Sequence, residues 1–89
     1  MESYLENSPY LRAYPNPSNG PVFVVYEVPE GVEQALLEVV SADGKLIFSQ
    51  SIAPQNGIAE LGKLPIGLNV ATLRCDGIRV GVAKLSIVR

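Results

Sequence analysis

The sequence contains no histidine and only one cysteine, and these shortages exclude several kinds of site. Without histidine the chain cannot carry out Ser-His-Asp or Cys-His catalysis, and it lacks the common imidazole-containing zinc sites. The single cysteine, Cys75, cannot form an internal disulfide, so the fold must be stable without one. We expect Cys75 to lie in the core as a small apolar residue rather than to act as a nucleophile.

Long apolar runs and basic clusters are missing as well. No stretch of eighteen apolar residues is available to cross a bilayer, and residues 1–6 lack the basic and apolar regions of an export signal. If the domain is exported, we expect its signal to lie elsewhere. A net charge of −2 gives no reason to expect nucleic acid as a partner, because phosphate backbones are bound by clustered Lys and Arg.

The few charges are segregated along the chain. Residues 1–44 carry seven acids and one base, a net charge of −6, whereas residues 45–89 carry six bases and two acids, a net charge of +4. A β-sandwich interleaves early and late strands, so we expect the fold to mix these two blocks in space.

The residues that are abundant indicate a turn-rich β protein. Hydrophobic residues make up 47% of the 89 positions, enough for one thin two-layer core, and seven prolines and eight glycines interrupt the chain. No segment has convincing helical periodicity. Residues 33–40 have some helix propensity, but Val39, Val40 and the Asp-Gly pair that follows favour a strand.

Short β-branched and aromatic segments alternate with turn signals at intervals of about ten residues. Asp43-Gly44, Asn56-Gly57 and Asp76-Gly77 mark three of the turns. The predicted strands are Tyr10–Tyr14, Val22–Val28, Ala35–Ser41, Leu46–Ile52, Ile58–Leu61, Leu68–Cys75 and Ile78–Val88. This spacing predicts an all-β antiparallel sandwich of six to eight strands with Greek-key connections.

Two details complete the organisation. We expect residues 1–8 to be a flexible tether or a cloning remnant, and residues 9–89 to form the single domain. Within Leu46–Ile52 the apolar residues come first and polar residues follow, which predicts a strand that begins buried, emerges toward solvent and lies near an edge.

Polar turn residues and scattered carboxylates do not form a recognisable site. The Asn and Asp residues do not have the alternating spacing of a calcium loop, so we interpret them as turn residues. The carboxylates Glu27, Glu30, Glu33 and Glu38 are interpreted as solvated loop and rim charges. The sequence therefore predicts no metal site, no cofactor site and no catalytic residues.

Three motifs occur in a characteristic order. They are Tyr14-Pro15-Asn16-Pro17 with Gly20, then Asp43-Gly44-Lys45, then Leu64-Pro65-Ile66-Gly67 followed by Lys84-Leu85-Ser86-Ile87-Val88-Arg89. From about Leu11 to Arg89 the chain resembles the C-terminal sorting domain of the type IX secretion system, the Por secretion tail family. The resemblance implies a non-catalytic Ig-like sandwich at the end of a larger protein secreted by a Bacteroidetes-type bacterium.

The resemblance also implies partners and site residues. In such a family the domain directs its parent cargo protein through an outer-membrane translocon, and a sortase-like cysteine protease then removes it and attaches the cargo to a surface lipopolysaccharide. The closing hairpin and terminal strand would carry the recognition. The matching residues are Lys84, Leu85, Ile87 and Arg89 in the terminal pattern and Leu64, Pro65 and Gly67 in the preceding turn. The family commonly has an aromatic residue two positions after the turn glycine, where this chain has Asn69.

The residues themselves leave several alternatives open. Leu85 and Ile87 alternate with Ser86 and Val88, so packing one face of a strand accounts for them. Lys84 and Arg89 would be available to a receptor, or they would merely prevent edge aggregation. The Pro-Asn-Pro segment is either a docking surface or a rigid entry into the first core strand, and we favour the second.

The sequence also leaves open an alternative function and predicts self-association. A permanent adhesion or carbohydrate-binding module is the alternative function, and it would need an exposed aromatic platform, for which the sequence offers little. The isolated domain is also expected to self-associate through its edge strands, for example within Val80–Val88.

Overall fold

A computed structural model describes residues 10–15, 17–62 and 64–88, and the expected tether over residues 1–8 lies outside them. Within these ranges the chain forms seven strands and no helix. The strands are β1 (Leu11–Tyr14), β2 (Val22–Tyr26), β3 (Ala35–Ser41), β4 (Leu46–Ile52), β5 (Gly57–Leu61), β6 (Gly67–Cys75) and β7 (Ile78–Ile87). No helix in the described part of the chain is long and apolar enough to span a membrane.

The strands form two antiparallel sheets. One has the order β1-β2-β5 and the other β4-β3-β6-β7. The β2–β3, β4–β5 and β5–β6 connections pass from one sheet to the other, and β3 pairs with β6 as well as with β4. This is the interleaved connectivity of an Ig-like sandwich, and the predicted all-β fold of six to eight strands is confirmed.

The core lies between the sheets and follows the two-residue period of each strand. In β3, Leu37 and Val39 are completely buried, and in β6 the same is true of Ala71 and Leu73. Cys75 is buried, as predicted. Burial raises the pKa of its thiol, and the neighbouring Asp76 carboxylate adds to the increase, so the neutral thiol is the form suited to this site.

Pairing of β3 with β6 brings the acidic and basic blocks of the sequence together. Glu38 on β3 accepts a hydrogen bond from Arg74 Nε on β6 at 2.9 Å. The Arg74 side chain is 41% exposed, so this ion pair contributes modestly to stability. It confirms that the sandwich mixes the two blocks in space.

Strand β4 is an edge strand, as predicted, but its burial differs from the expectation. Leu46 was expected to begin the strand buried, and it is 54% exposed. The pairing of β3 with β4 shifts register between Val39 and Val40, so Leu46 pairs with Val40 rather than continuing the inward row from Phe48. An irregularity of one residue exchanges the two faces of a strand, and Leu46 therefore lies on the outer face.

Candidate recognition site on strand β7

Strand β7 separates buried from exposed side chains residue by residue. Leu85 and Ile87 are 1% and 5% exposed, and both belong to the core, as expected from their alternation. Lys84 precedes them, lies on the outer face of the four-stranded sheet and is exposed. It pairs across the sheet with Val70 of β6. Arg89, the other charged candidate, lies outside the described residues.

The proline-rich segment after β1 holds the end of β7. The backbone N–H of Ser18 donates to the carbonyl oxygen of Ser86 at 2.8 Å, and the N–H of Val88 donates to the carbonyl oxygen of Ser18 at 2.8 Å. Together they form a parallel bridge between Ser18 and Ile87. Ser18 is itself buried, and its hydroxyl accepts from the N–H of Gly20 at 3.1 Å.

Sequence reasoning missed this contact. The segment from Tyr14 to Gly20 was interpreted as a rigid entry into β2, and nothing near Ser18 in sequence identifies β7 as its partner. The Tyr14–Pro15 peptide is cis. The segment therefore does more than lead into a strand, because it also pairs with the outer edge of β7 at Ser86 and Val88.

The turn before β6 lies beside the same end of β7. Gly67 pairs with Ile87, and Asn69 pairs with Leu85, so the structure brings the two groups of candidate residues together. Leu64 is 8% exposed and joins the core, whereas Pro65 is exposed. Gly67 has a φ of +112°, a region in which an L side chain is strained.

Asn69 occupies a core position with a polar side chain. It is 1% exposed and shares the inward face of β6 with Ala71 and Leu73. Its Nδ2 donates to the carbonyl oxygens of Pro65 at 3.0 Å and Gly67 at 3.4 Å. Among the described residues, its Oδ1 has no hydrogen-bond partner. The position is buried, and the amide closes the turn.

An open hollow of about 410 Å³ adjoins this turn. It lies between the β3–β4 turn and residues 65–69. On its far side the Ser41 hydroxyl donates to the Asp43 carboxylate, which lowers the pKa of Asp43, and a backbone hydrogen bond involving Lys45 adds to the effect. Across residues 10–15, 17–62 and 64–88, no group of three or more acidic or cysteine side chains is arranged to hold a metal ion.

A family model described as "Secretion system C-terminal sorting domain" matches residues 12–78. The chain belongs to this family. As a type IX sorting domain it accompanies a cargo protein across the outer membrane to the cell surface or the extracellular space. No curated protein and no solved structure shows a significant match to the chain.

The family match covers the fold more fully than the candidate site. It runs from β1 to the first residue of β7 and includes the Pro-Asn-Pro segment, Asp43-Gly44 and the turn from Leu64 to Gly67. The four remaining site residues lie beyond it: Lys84, Leu85, Ile87 and Arg89. The family match therefore says nothing about a recognition role for these four residues.

Proposed function

We propose that this domain is a non-catalytic sorting signal whose recognition surface is the end of β7 together with the turn from Leu64 to Gly67. The observation that carries the proposal is the division within β7. Lys84 is exposed on a strand whose neighbours Leu85 and Ile87 are buried, so one short segment holds the fold and presents a charge. Arg89 is assigned to the same surface from its place in the terminal pattern.

The surrounding contacts support a fixed surface. Ser18 holds the backbone of Ser86 and Val88, and Asn69 holds the carbonyl of Pro65. Preorganisation of this kind lowers the entropic cost of binding, because the partner does not need to order the segment. The outer-membrane translocon is the proposed partner, with the parent cargo protein carried through it.

We assign the later step to a sortase-like protease that removes the domain and attaches the cargo to the cell surface. Family membership supports this step. Its signature is loss of this 9.5 kDa chain from the surface form of the reporter: an antibody raised against the chain should detect the precursor and not the surface form, whatever mass the attached lipopolysaccharide adds. A surface reporter that keeps the domain would contradict removal while leaving sorting intact.

Residues 1–89 fused behind a periplasm-directed reporter, in a host that has the type IX system, would test the recognition surface. The variants are Lys84→Ala, Arg89→Ala and deletion of residues 84–89. Arg79→Ala is the matched control, because Arg79 is an exposed base on the same strand outside the terminal pattern. Surface display and the melting temperature of each purified domain are measured together.

We expect Lys84→Ala and Arg89→Ala to reduce display at an unchanged melting temperature, since exposed charges add less than about 1 kcal/mol to stability. Arg79→Ala should display normally. Normal display by the deletion variant would end the sorting-signal proposal. If all three single variants lost surface display equally, display would depend on the positive charge of the domain in general and not on this surface.

One observation favours the alternative of a permanent adhesion or carbohydrate-binding module. Tyr14 is 48% exposed and stacks on Phe23 with ring centroids 5.7 Å apart, so the structure does present an aromatic pair. The same display assay separates the two functions. If the domain is a permanent module and not a signal, the periplasm-directed reporter should stay in the periplasm whether or not residues 84–89 are present.

A further inference from the structure

The outer face of the three-stranded sheet presents six side chains in two rows. Burial in β1, β2 and β5 alternates, which places one residue in two on this face. The strand registers then define the rows. The first row is Arg12, Val25 and Ile58, and the second row is Tyr14, Phe23 and Glu60.

The composition of this face, which we call the β1-β2-β5 face, differs from an ordinary solvated surface. Ile58 is 60% exposed and Tyr14 is 48% exposed, and they occupy two opposite corners. Arg12 and Glu60 are also exposed and occupy the other two corners. Within the described part of the chain, neither of these charges has an ion-pair partner. An apolar diagonal is thus crossed by a diagonal of opposite charges.

We propose that the β1-β2-β5 face binds the same face of a second copy of this chain. A two-fold axis lying between the facing sheets and along the Tyr14–Ile58 diagonal exchanges the two remaining corners. It therefore brings Arg12 of each copy opposite Glu60 of the other. A symmetric interface must be self-complementary in this way, and a face with one charge of each sign on opposite corners satisfies that condition.

Strand spacing allows the match in distance. Corners lie about 9.6 Å apart across the three strands and about 6.8 Å apart along a strand. Because this rectangle is not square, exchange across its diagonal leaves Arg12 and the opposite Glu60 offset by about 4 Å along the axis, which the two flexible side chains can span. The strands of the two sheets then cross at roughly 70°, nearer to orthogonal than to aligned sheet packing.

This association differs from pairing through edge strands, which remains a separate prediction. Edge pairing uses backbone N–H and C=O groups and is insensitive to the charges at positions 12 and 60. Part of the outer edge of β7 is already bonded to Ser18 in the domain itself. The β1-β2-β5 face needs no backbone rearrangement, and it lies on the other sheet from Lys84, so the proposal does not depend on the sorting function.

Sedimentation velocity on the 89-residue chain, from micromolar to millimolar concentration, tests the interface. Arg12→Glu gives a face with two acids, and Glu60→Arg gives a face with two bases. We expect each variant alone to dimerise at least about tenfold more weakly than the parent chain, because both pairs become repulsive. Lys45→Glu, an exposed charge reversal in the β3–β4 turn, is the matched control and should not change dimerisation.

Two restoring combinations make the result specific. An equal mixture of Arg12→Glu and Glu60→Arg should form a heterodimer, since each copy then supplies the charges that the other lacks. The double variant should again form a homodimer. Circular dichroism checks that every variant keeps the β fold. A chain that stays monomeric to millimolar concentration, or a dimer that tolerates both single reversals, would overturn the proposal.

Discussion

The Asn69 side chain donates a hydrogen bond from Nδ2 to the carbonyl oxygen of Pro65 at 3.0 Å. This contact joins the inward face of β6 to the turn that belongs to the proposed recognition surface. The same amide keeps an unpartnered Oδ1 in the core, among the residues that the structure describes. Asn69 therefore contributes a favourable and an unfavourable interaction at one position, and substitutions can separate them.

We expect Asn69→Asp to destabilise the fold by about 3 kcal/mol, because a buried carboxylate would face the carbonyl oxygens of Pro65 and Gly67 without a donor. Asn69→Leu should change stability by less than about 1.5 kcal/mol, since it removes the unpaired acceptor together with the donor, and exposed Pro65 can bond to water. Urea denaturation at neutral pH measures both. An aspartate variant as stable as the parent would contradict the burial of this side chain.

The buried residues of β7 should matter for stability in proportion to their burial. Leu85→Ala and Ile87→Ala should each cost about 2 to 4 kcal/mol, because each leaves a cavity between the sheets. Val88→Ala is the matched control on the same segment. Val88 is 45% exposed, and its truncation should cost less than about 0.5 kcal/mol. Thermal and urea unfolding measure the stability of the three variants. Equal losses of stability would mean that buried and exposed side chains do not alternate here as described.

Local signals in the sequence were sufficient for most strands. Ala35–Ser41 and Leu46–Ile52 were predicted with the bounds that the structure has, because β-branched and apolar residues run up to an Asp-Gly turn on either side. Strand β2 was predicted to reach Val28, but it ends at Tyr26. The prediction was too long because Pro29, the next turn signal, does not show how many residues before it leave the sheet. The predicted face of Leu46 was wrong because a register shift in the pairing of β3 with β4 cannot be read from alternation within one strand.

The candidate site was predictable only in part. Alternation placed Leu85 and Ile87 in the core, since the two-residue period is local. The contact of Ser18 with Ser86 and Val88 was not predictable, because it joins residues far apart in sequence and uses only backbone groups, which carry no side-chain signature. The aromatic pair on the β1-β2-β5 face also required the sheet order, which places Tyr14 beside Phe23.

The close approach of β7 to β1 predicts an effect for one glycine. A Cβ built on Gly81 would lie 3.0 Å from the Cβ of Leu11, which is 1% exposed and fixed in the core. Gly81→Ala should therefore cost about 1 to 2 kcal/mol, because the two sheets must move apart to admit the methyl group. In Gly20→Ala the new Cβ meets nothing within 4 Å, so this matched control should stay close to the parent in melting temperature. If Gly81→Ala left stability unchanged, the two sheets would have to separate easily at this point.

The β6–β7 turn should be a further determinant of stability, because Asp76 both forms the turn and fastens it to the β2–β3 loop. Its φ is +52° and that of Gly77 is +82°, the backbone of a type I′ hairpin turn. Its Oδ1 accepts from the N–H groups of Gln34 at 2.9 Å and Glu33 at 3.1 Å. We expect Asp76→Ala to cost about 2 kcal/mol, since it removes both hydrogen bonds and places alanine in a left-handed conformation. Asp76→Asn keeps an acceptor oxygen and tolerates positive φ, so it should lose less than half as much in urea denaturation. If both variants lost the same stability, the negative charge rather than the geometry of Asp76 would hold the loop.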